Sequence, residues 1–270
     1  MFNMSDSTLT SYFSNIIYHF YESTSLMIKQ GEQWGFNVQN DYFRAISFQY
    51  PSDVVVNYDT QEKLQNLLVP VIDHIPFNRA ISSNQFVRSD KGVVLIMIGH
   101  TKEELLDCTK AVCSTALKLI DEQLPGSQIR IGIGTLESGL KGIATTYKNA
   151  IQATDVGEKF KKERRILDYI GMEIYSAINA MVIAYGDSLI RSILLQLTEE
   201  EQTILGKYYK CKELVPETAA ALGISEEKVL HCLKQIKDRV GLDVHDTEDS
   251  FKLHFIMIAK RVLDKEKRRR

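Results

Sequence analysis

No apolar run in this chain is long enough to cross a bilayer. The longest clean one is Val93–Ile98, against the about 20 residues that a membrane helix needs. Cysteine is scarce as well. The four cysteines, Cys108, Cys113, Cys211 and Cys232, include no CxxC pair and sit in no His/Cys cluster. That spacing excludes a zinc ribbon or a redox dithiol and points to free thiols in a reducing compartment. Five prolines and 15 glycines in 270 residues leave no room for a long disordered linker or a collagen-like repeat. A dominant charge is also missing. Lys and Arg number 33 against 35 Asp and Glu, a net of −2, so nothing here would coat nucleic acid as a bulk polycation. Any nucleic-acid contact must rest on local charge. No basic segment precedes an apolar core at the N-terminus, which argues against a secretory signal. The composition thus predicts a cytoplasmic chain with no membrane association.

What is present is ordinary globular material, 44% hydrophobic and 25% charged, in a length that suits two domains. Residues 1–34 stand apart. Leu9, Phe13, Ile16, Ile17 and Phe20 recur at the spacing of one helical face, and Lys29 is the only Lys or Arg before position 41. Such a stripe needs a surface, either the next domain or another copy of the chain. Gly31 and Gly35 punctuate the stretch.

From 41 to about 170 strands and helices alternate. Tyr42–Tyr50 and Val54–Tyr58 are rich in aromatic and β-branched residues, as strands are. Lys63–Leu68 suits a short helix. Gln85–Arg88 and Val93–Ile98 read as a hairpin closed at Ser89-Asp90-Lys91-Gly92. Thr101 with Glu104 opens a helix that buries Leu105, Cys108, Val112, Ala116, Leu119 and Ile120 and stops at Pro125-Gly126. Ile129–Gly134 is a strand, Gly139–Val156 a helix, and Arg165–Asp168 an edge strand. The charge run Glu158–Arg165 reads as a solvated loop or helix end. This is an α+β arrangement with helices against an antiparallel-rich sheet. Helices follow from Gly171 to Leu197. A capping box at Thr198–Glu201 then opens an all-helical region over 198–265. The domain boundary falls near 170–197.

The sharpest local signal is Glu217–Leu233. Ala219 lets a second helix cross closely, and Gly223 turns the chain with positive φ. Ser225 can cap the next helix. Val229, Leu233, Ile236 and Val240 form a buried stripe. That is the spacing of a helix-turn-helix, whose second helix enters a DNA major groove. Opposite the stripe stand Glu227, His231, Lys234 and Asp238, with Lys228 and Gln235 on one flank and Glu226 and Lys237 on the other. The candidate DNA-contacting set is Thr218, Ser225, Lys228, His231, Lys234, Gln235 and Lys237. Charge tempers it: residues 198–264 carry ten Lys and Arg against thirteen Asp and Glu, a net of −3. Residues 265–270 (KEKRRR) carry a net of +4 and could form a phosphate-contacting arm or a frayed end.

Chemistry of other kinds finds little support. Ile131-Gly132-Ile133-Gly134 lacks the spacing of a phosphate loop and reads as a strand lying close to a helix. The six histidines, at 19, 74, 100, 231, 245 and 254, are isolated. No catalytic residue, metal or cofactor is expected.

Two stretches carry a family resemblance. The segment TAAALGISEEKVLHCLKQIKDRVGLDV, followed by the apolar FKLHFIMIAKRVL, resembles the helix-turn-helix domain of the carbohydrate diacid and purine-catabolism regulators. The stretch IRIGIG…GLKGIATTYKNAIQA is similar to the degenerate GGDEF-like domain that precedes it in those proteins. The resemblance covers about residues 40–265. It implies a bacterial, dimeric, DNA-binding transcription regulator of a sugar-diacid or related catabolic pathway. A degenerate GGDEF-like α+β domain over 41–170 would precede a helix-turn-helix domain over 198–265. Residues 1–34 would be a dimerisation helix or the remnant of an upstream domain; they are too short for the family's ligand-recognition domain, so its diacid ligand does not carry over.

The sequence departs from the pattern at the recognition helix. The family's usual His-Arg-Asn-Thr opening is replaced by Ser225, Glu226, Glu227 and Lys228, and Leu230 and Cys232 stand where arginines are common. Guanine readout by arginine is absent there. Active cyclases of the wider class need acidic residues for Mg²⁺ and a glycine-rich hairpin for GTP; Val87–Val93 has one carboxylate and no GGDEF run. The expected partners are double-stranded DNA, a second copy of the chain, and an effector whose identity the sequence leaves open. Two other readings stand beside this one: a ligand-sensing or protein-interaction module whose helix-turn-helix no longer reads DNA, and a residual nucleotide-binding enzyme.

Overall fold

The computed structural model describes residues 6–73 and 85–267. The chain divides into two compact units, Met1–Ser176 and Ala177–Arg270. Among the described residues no helix is long and apolar enough to cross a membrane.

The first unit runs α1 (Asp6–Ile17), α2 (Thr24–Gln33), β1 (Tyr42–Gln49), α3 (Tyr58–Asp73), β2 (Phe86–Ser89), β3 (Gly92–Gly99), α4 (Lys102–Gln123), β4 (Arg130–Ile133), β5 (Glu137–Ser138), α5 (Gly139–Phe160) and β6 (Ile166–Asp168). The six strands form one mixed sheet in the order β2-β3-β1-β4-β6, with β5 also on β1. Every pairing is antiparallel except β4 with β6.

Both faces of this sheet are covered, which is why Val93–Ile98 is continuously apolar rather than alternating. Along β3, Val93, Leu95 and Met97 pack into one core with Leu64 and Leu68 of α3 and Leu105 and Val112 of α4. Val94, Ile96 and Ile98 point the other way, into a core shared with α1, α2 and α5. That second core takes up the N-terminal stripe. Leu9, Phe13, Ile16 and Ile17 are buried there together with Tyr12, so α1 packs its stripe on this unit. Phe20 does not join them: it lies beyond the end of α1 and is exposed.

The glycines of Ile131–Gly134 do what close packing requires. A Cβ at Gly132 would sit 2.1 Å from the backbone oxygen of Ala150, and one at Gly134 2.2 Å from that of Thr146. Helix α5 therefore rests on bare backbone. Arg44 ties the sheet's edge: its guanidinium donates to Asp168 at 2.9 Å and to the Gly134 carbonyl at 3.0 Å while almost wholly buried.

Two expected elements differ. Val54–Tyr58 is not a strand; it finds no neighbour to pair with, and Val55 is fully in solvent. The helix expected over Lys63–Leu68 spans Tyr58–Asp73 and continues through Pro70, because Leu64, Leu68, Val71 and Ile72 all reach the core at helical spacing. At Thr101 the side chain accepts from the Glu104 N–H, but the Glu104 carboxylate returns to the N–H of His100, so the capping is not reciprocal.

Helix α6 (Glu173–Leu194) opens in the first unit and runs into the second, which continues with α7 (Glu199–Lys210), α8 (Val215–Leu222), α9 (Glu226–Val240) and α10 (Thr247–Lys267). Its core gathers Leu205, Tyr208, Val229, Leu233, Ile236 and Leu253. No disulfide links the four thiols, and burial pushes those of Cys113 and Cys232 up to about 12 and about 11.

Candidate nucleic-acid interface

Helix α8 opens with Pro216 in its first turn, where a missing N–H costs nothing. It closes at Gly223, whose φ of 68° is the left-handed conformation that glycine adopts freely. The Ile224 N–H then reaches back to the Ala219 carbonyl at 3.1 Å. Ala219 is buried at the crossing of α8 and α9. Ser225 caps α9, its hydroxyl accepting from the Lys228 N–H. Gly241, again left-handed, ends it. Helix, glycine turn, capped second helix: the sequence spacing and the backbone geometry agree.

Beneath it, α7 carries a reciprocal capping box. The Thr198 hydroxyl accepts from the Glu201 N–H, and the Glu201 carboxylate accepts from the Thr198 N–H at 2.7 Å. Glu201 is nearly buried and also takes Arg239 of α9 at 2.6 Å. One carboxylate thus starts α7 and fixes α9 against it.

The outward face of α9 carries most of the expected set. Ser225, Lys228, His231, Lys234, Gln235 and Lys237 are all exposed, in company with Glu226, Glu227 and Asp238. Thr218 is not among them. It is fully buried, its hydroxyl donating to the Leu214 carbonyl at 2.7 Å, so it braces α8 and cannot touch DNA. Cys232 also faces inward, whereas Val240 is only half-buried at the end of the stripe. Leu230 stays on the exposed side.

Electrostatics thin the set further. Lys228 meets Glu200 at 2.5 Å, and Lys237 meets Asp243 at 2.7 Å. Each carboxylate holds its lysine's pKa above the ordinary value. With Arg239 bound to Glu201, Lys234 is the cation of α9 that has no ionic partner among the described residues. Glu227 is held in its charged form, below the usual carboxylate range, by its own backbone N–H and the Ser225 hydroxyl. A carboxylate there complements the helix dipole but repels a phosphate. Glu200, Glu201 and Asp243 could not be found by reading α9 alone, since all three carboxylates lie outside it. The proposed basic arm 265–270 lies outside the residues whose side chains are described.

The hairpin of the first unit is the other place where chemistry was weighed. Asp90 and Lys91 form its two-residue turn. Lys91 binds Asp155 of α5 at 2.5 Å, and the last residue of β1 is Gln49, whose amide oxygen accepts from the Thr154 hydroxyl. Gly92 is needed for space: a Cβ there would fall 2.0 Å from the Phe48 carbonyl oxygen. One free carboxylate, one neutralised carboxylate and an amide do not fit a two-metal nucleotide site. Among the described residues no three His, Cys, Asp or Glu side chains converge as metal ligands.

Three comparisons with known proteins bear on this geometry. The model of the GGDEF-like domain matches residues 22–156, half of the chain, starting at the helix α2 that the sequence reading had set apart. No curated protein matches. A solved structure titled as a regulator of polyketide synthase expression from Bifidobacterium adolescentis is similar at 12% identity. It covers 97% of this chain and 96% of its own, with a TM-score of 0.45.

Proposed function

The chain belongs to the GGDEF-like domain family, and we propose that it is a DNA-binding transcription regulator in which that domain serves dimerisation or signal relay without catalysis. The observation that carries this reading is the left-handed Gly223 between two short helices, with Ser225 capping the second, at the C-terminal side of a GGDEF-like domain. The resemblance of TAAALGISEEKVLHCL to the diacid and purine-catabolism regulators supports a sugar-diacid or related catabolic pathway. The Lys91–Asp155 pair and Gln49 support a non-catalytic hairpin.

A homodimer is proposed because helix-turn-helix proteins read paired half-sites; the buried α1 stripe lends it no support. In this reading α9 lies in the major groove, with His231, Lys234 and Gln235 toward the bases. Lys228 and Lys237 would exchange Glu200 and Asp243 for phosphates. The experiment is selection of fragmented genomic DNA on the purified full chain. Enrichment of a short motif, repeated at about one helical turn, supports the reading. A flat distribution at low salt overturns it.

One observation favours a second reading, an interaction module that no longer reads DNA: three of the four Lys and Arg side chains of α9 are already paired within the unit. The same selection separates the two.

A further inference from the structure

Helix α1 ends in a way that builds a wall. Its chain turns through His19, whose φ of 56° is left-handed. The Phe20 N–H closes onto the Asn15 carbonyl at 2.8 Å, and the Tyr18 N–H onto that of Ser14. A side chain other than glycine in that conformation persists only where its surroundings hold it, and such residues gather at ligand clamps. Here the Tyr18 hydroxyl meets the Tyr147 hydroxyl of α5 at 3.2 Å, with the two rings edge to face. Tyr18 and His19 are thereby fixed over the exposed side of α5.

Between them lies a cleft of about 540 Å³, within the range of small-molecule sites. Its body is apolar, formed by Ile17, Ala144, Ile151 and the two tyrosine rings. Its fixed charge is of one sign: Lys141 and Lys148 line it beside the His19 ring, and no Asp or Glu does among the described residues. Neither lysine has an ionic partner among the described residues.

A second pocket of about 240 Å³ shares Tyr18, Tyr147 and Ile151 with the first. It is lined in addition by Ser89, Gln49, Asp90 and the Lys91–Asp155 pair, so this lobe is suited to the neutral end of a ligand and not to its charge. Ser89 is nine-tenths buried, and its hydroxyl has no hydrogen-bond partner among the described residues. Buried hydroxyls are nearly always bonded, so an unpaired one on a pocket wall calls for a partner.

We infer that this two-lobed cleft binds a small organic anion with an apolar body: a monocarboxylate whose charge meets Lys141 and Lys148, and whose far end offers a hydrogen bond to Ser89. Tyr18, Tyr147 and Ile151 line both lobes. This inference does not rest on DNA binding, and its readout is ligand binding alone.

The test uses the full chain, by calorimetry and thermal shift. The probes are aromatic and aliphatic monocarboxylates of about six to twelve carbons, sized to the cleft, each paired with its primary amide. Some carboxylates should bind and raise the melting temperature, and their amides should bind roughly tenfold more weakly, the scale of a charged hydrogen bond. The double variant Lys141→Gln/Lys148→Gln should lose at least about tenfold in affinity. Its own melting temperature should not move, because both side chains are exposed. Ser89→Ala should weaken probes with a polar far end several-fold and leave those without one unaffected, with no loss of stability. Lys234→Ala, in the other unit, should change none of these affinities. Amides binding as well as carboxylates, a double variant of unchanged affinity, or a panel with no binder overturns the inference.

Discussion

The β2–β3 hairpin and the start of α9 are two places where a function would present charge to a ligand, and in each an internal ion pair has taken that charge. In the hairpin Lys91 is held by Asp155; on α9 Lys228 is held by Glu200. The pairs differ in surroundings. The hairpin pair is the more sheltered, with about a third of each side chain accessible, and the Gly92 turn behind it packs on the Phe48 backbone. The α9 pair is more than half exposed on both sides. Exposed pairs contribute little and re-form easily with another partner. The first pair is held by its surroundings; the second is free to exchange partners, as the proposed phosphate contact requires.

The largest expected effect contrasts two neighbours on α7. Glu201→Ala removes the reciprocal cap and leaves Arg239 without its carboxylate. Because Glu201 is buried and Arg239 is partly exposed, the expected loss is about 2–4 kcal/mol, seen as a lower denaturation midpoint. Glu200→Gln, one residue away, should leave stability nearly unchanged and free Lys228. DNA affinity should then rise, and the salt slope should steepen by roughly one contact, about −0.9. Equal stability losses for the two substitutions would erase the distinction between a structural and a releasable pair.

Next in size is an expected absence. Incubation of the chain with GTP and Mg²⁺ or Mn²⁺ should give no cyclic dinucleotide, since the hairpin turn offers Asp90 alone and the neighbouring Asp155 of α5 is already paired with Lys91. Metal-dependent turnover would contradict the non-catalytic account. A smaller effect belongs to the acidic opening of α9. Glu226→Gln/Glu227→Gln should raise affinity for non-specific duplex, with a slight loss of helix stability from the dipole. Anisotropy titrations at several salt concentrations would read it.

The smallest effect is a pH dependence in the first unit. His100 donates its Nδ1–H to the Asp41 carboxylate at 2.7 Å, and that carboxylate raises the imidazole's pKa above its ordinary value. The stabilisation is therefore complete below the ordinary histidine pKa and is lost as pH rises through the raised one. It should be slight, since the ring is largely exposed. Proton NMR should show His100 titrating above the usual range, and Asp41→Asn should bring it back.

Local patterns carried much of this structure. The Asp90-Lys91 turn, the Thr198 capping box, the glycines against α5 and the Gly223–Ser225 turn are all legible because a few adjacent residues dictate the backbone there. The misreadings share a cause too. Val54–Tyr58 has strand composition but no neighbour. The Leu9–Ile17 stripe was readable as a buried face, yet not what would bury it, since its partners Phe36, Val38 and Ile143 come from two later segments, the connection before β1 and α5. Helical spacing found the exposed face of α9. It could not see that Glu200 and Asp243 arrive from outside that helix, or that Thr218 turns inward. Burial and ion pairing are properties of tertiary contact, and the candidate site depends on both.

The claim that α9 meets DNA is tested most directly by His231→Ala and Lys234→Ala in the full chain, titrated by fluorescence anisotropy against DNA from upstream of its own gene. Both side chains are exposed and neither supports the core, so melting temperatures should not change. The account predicts a loss of specific affinity for each variant, with Lys234→Ala also lowering the salt slope by about one contact. Unaltered binding by both would show that this face does not lie on DNA.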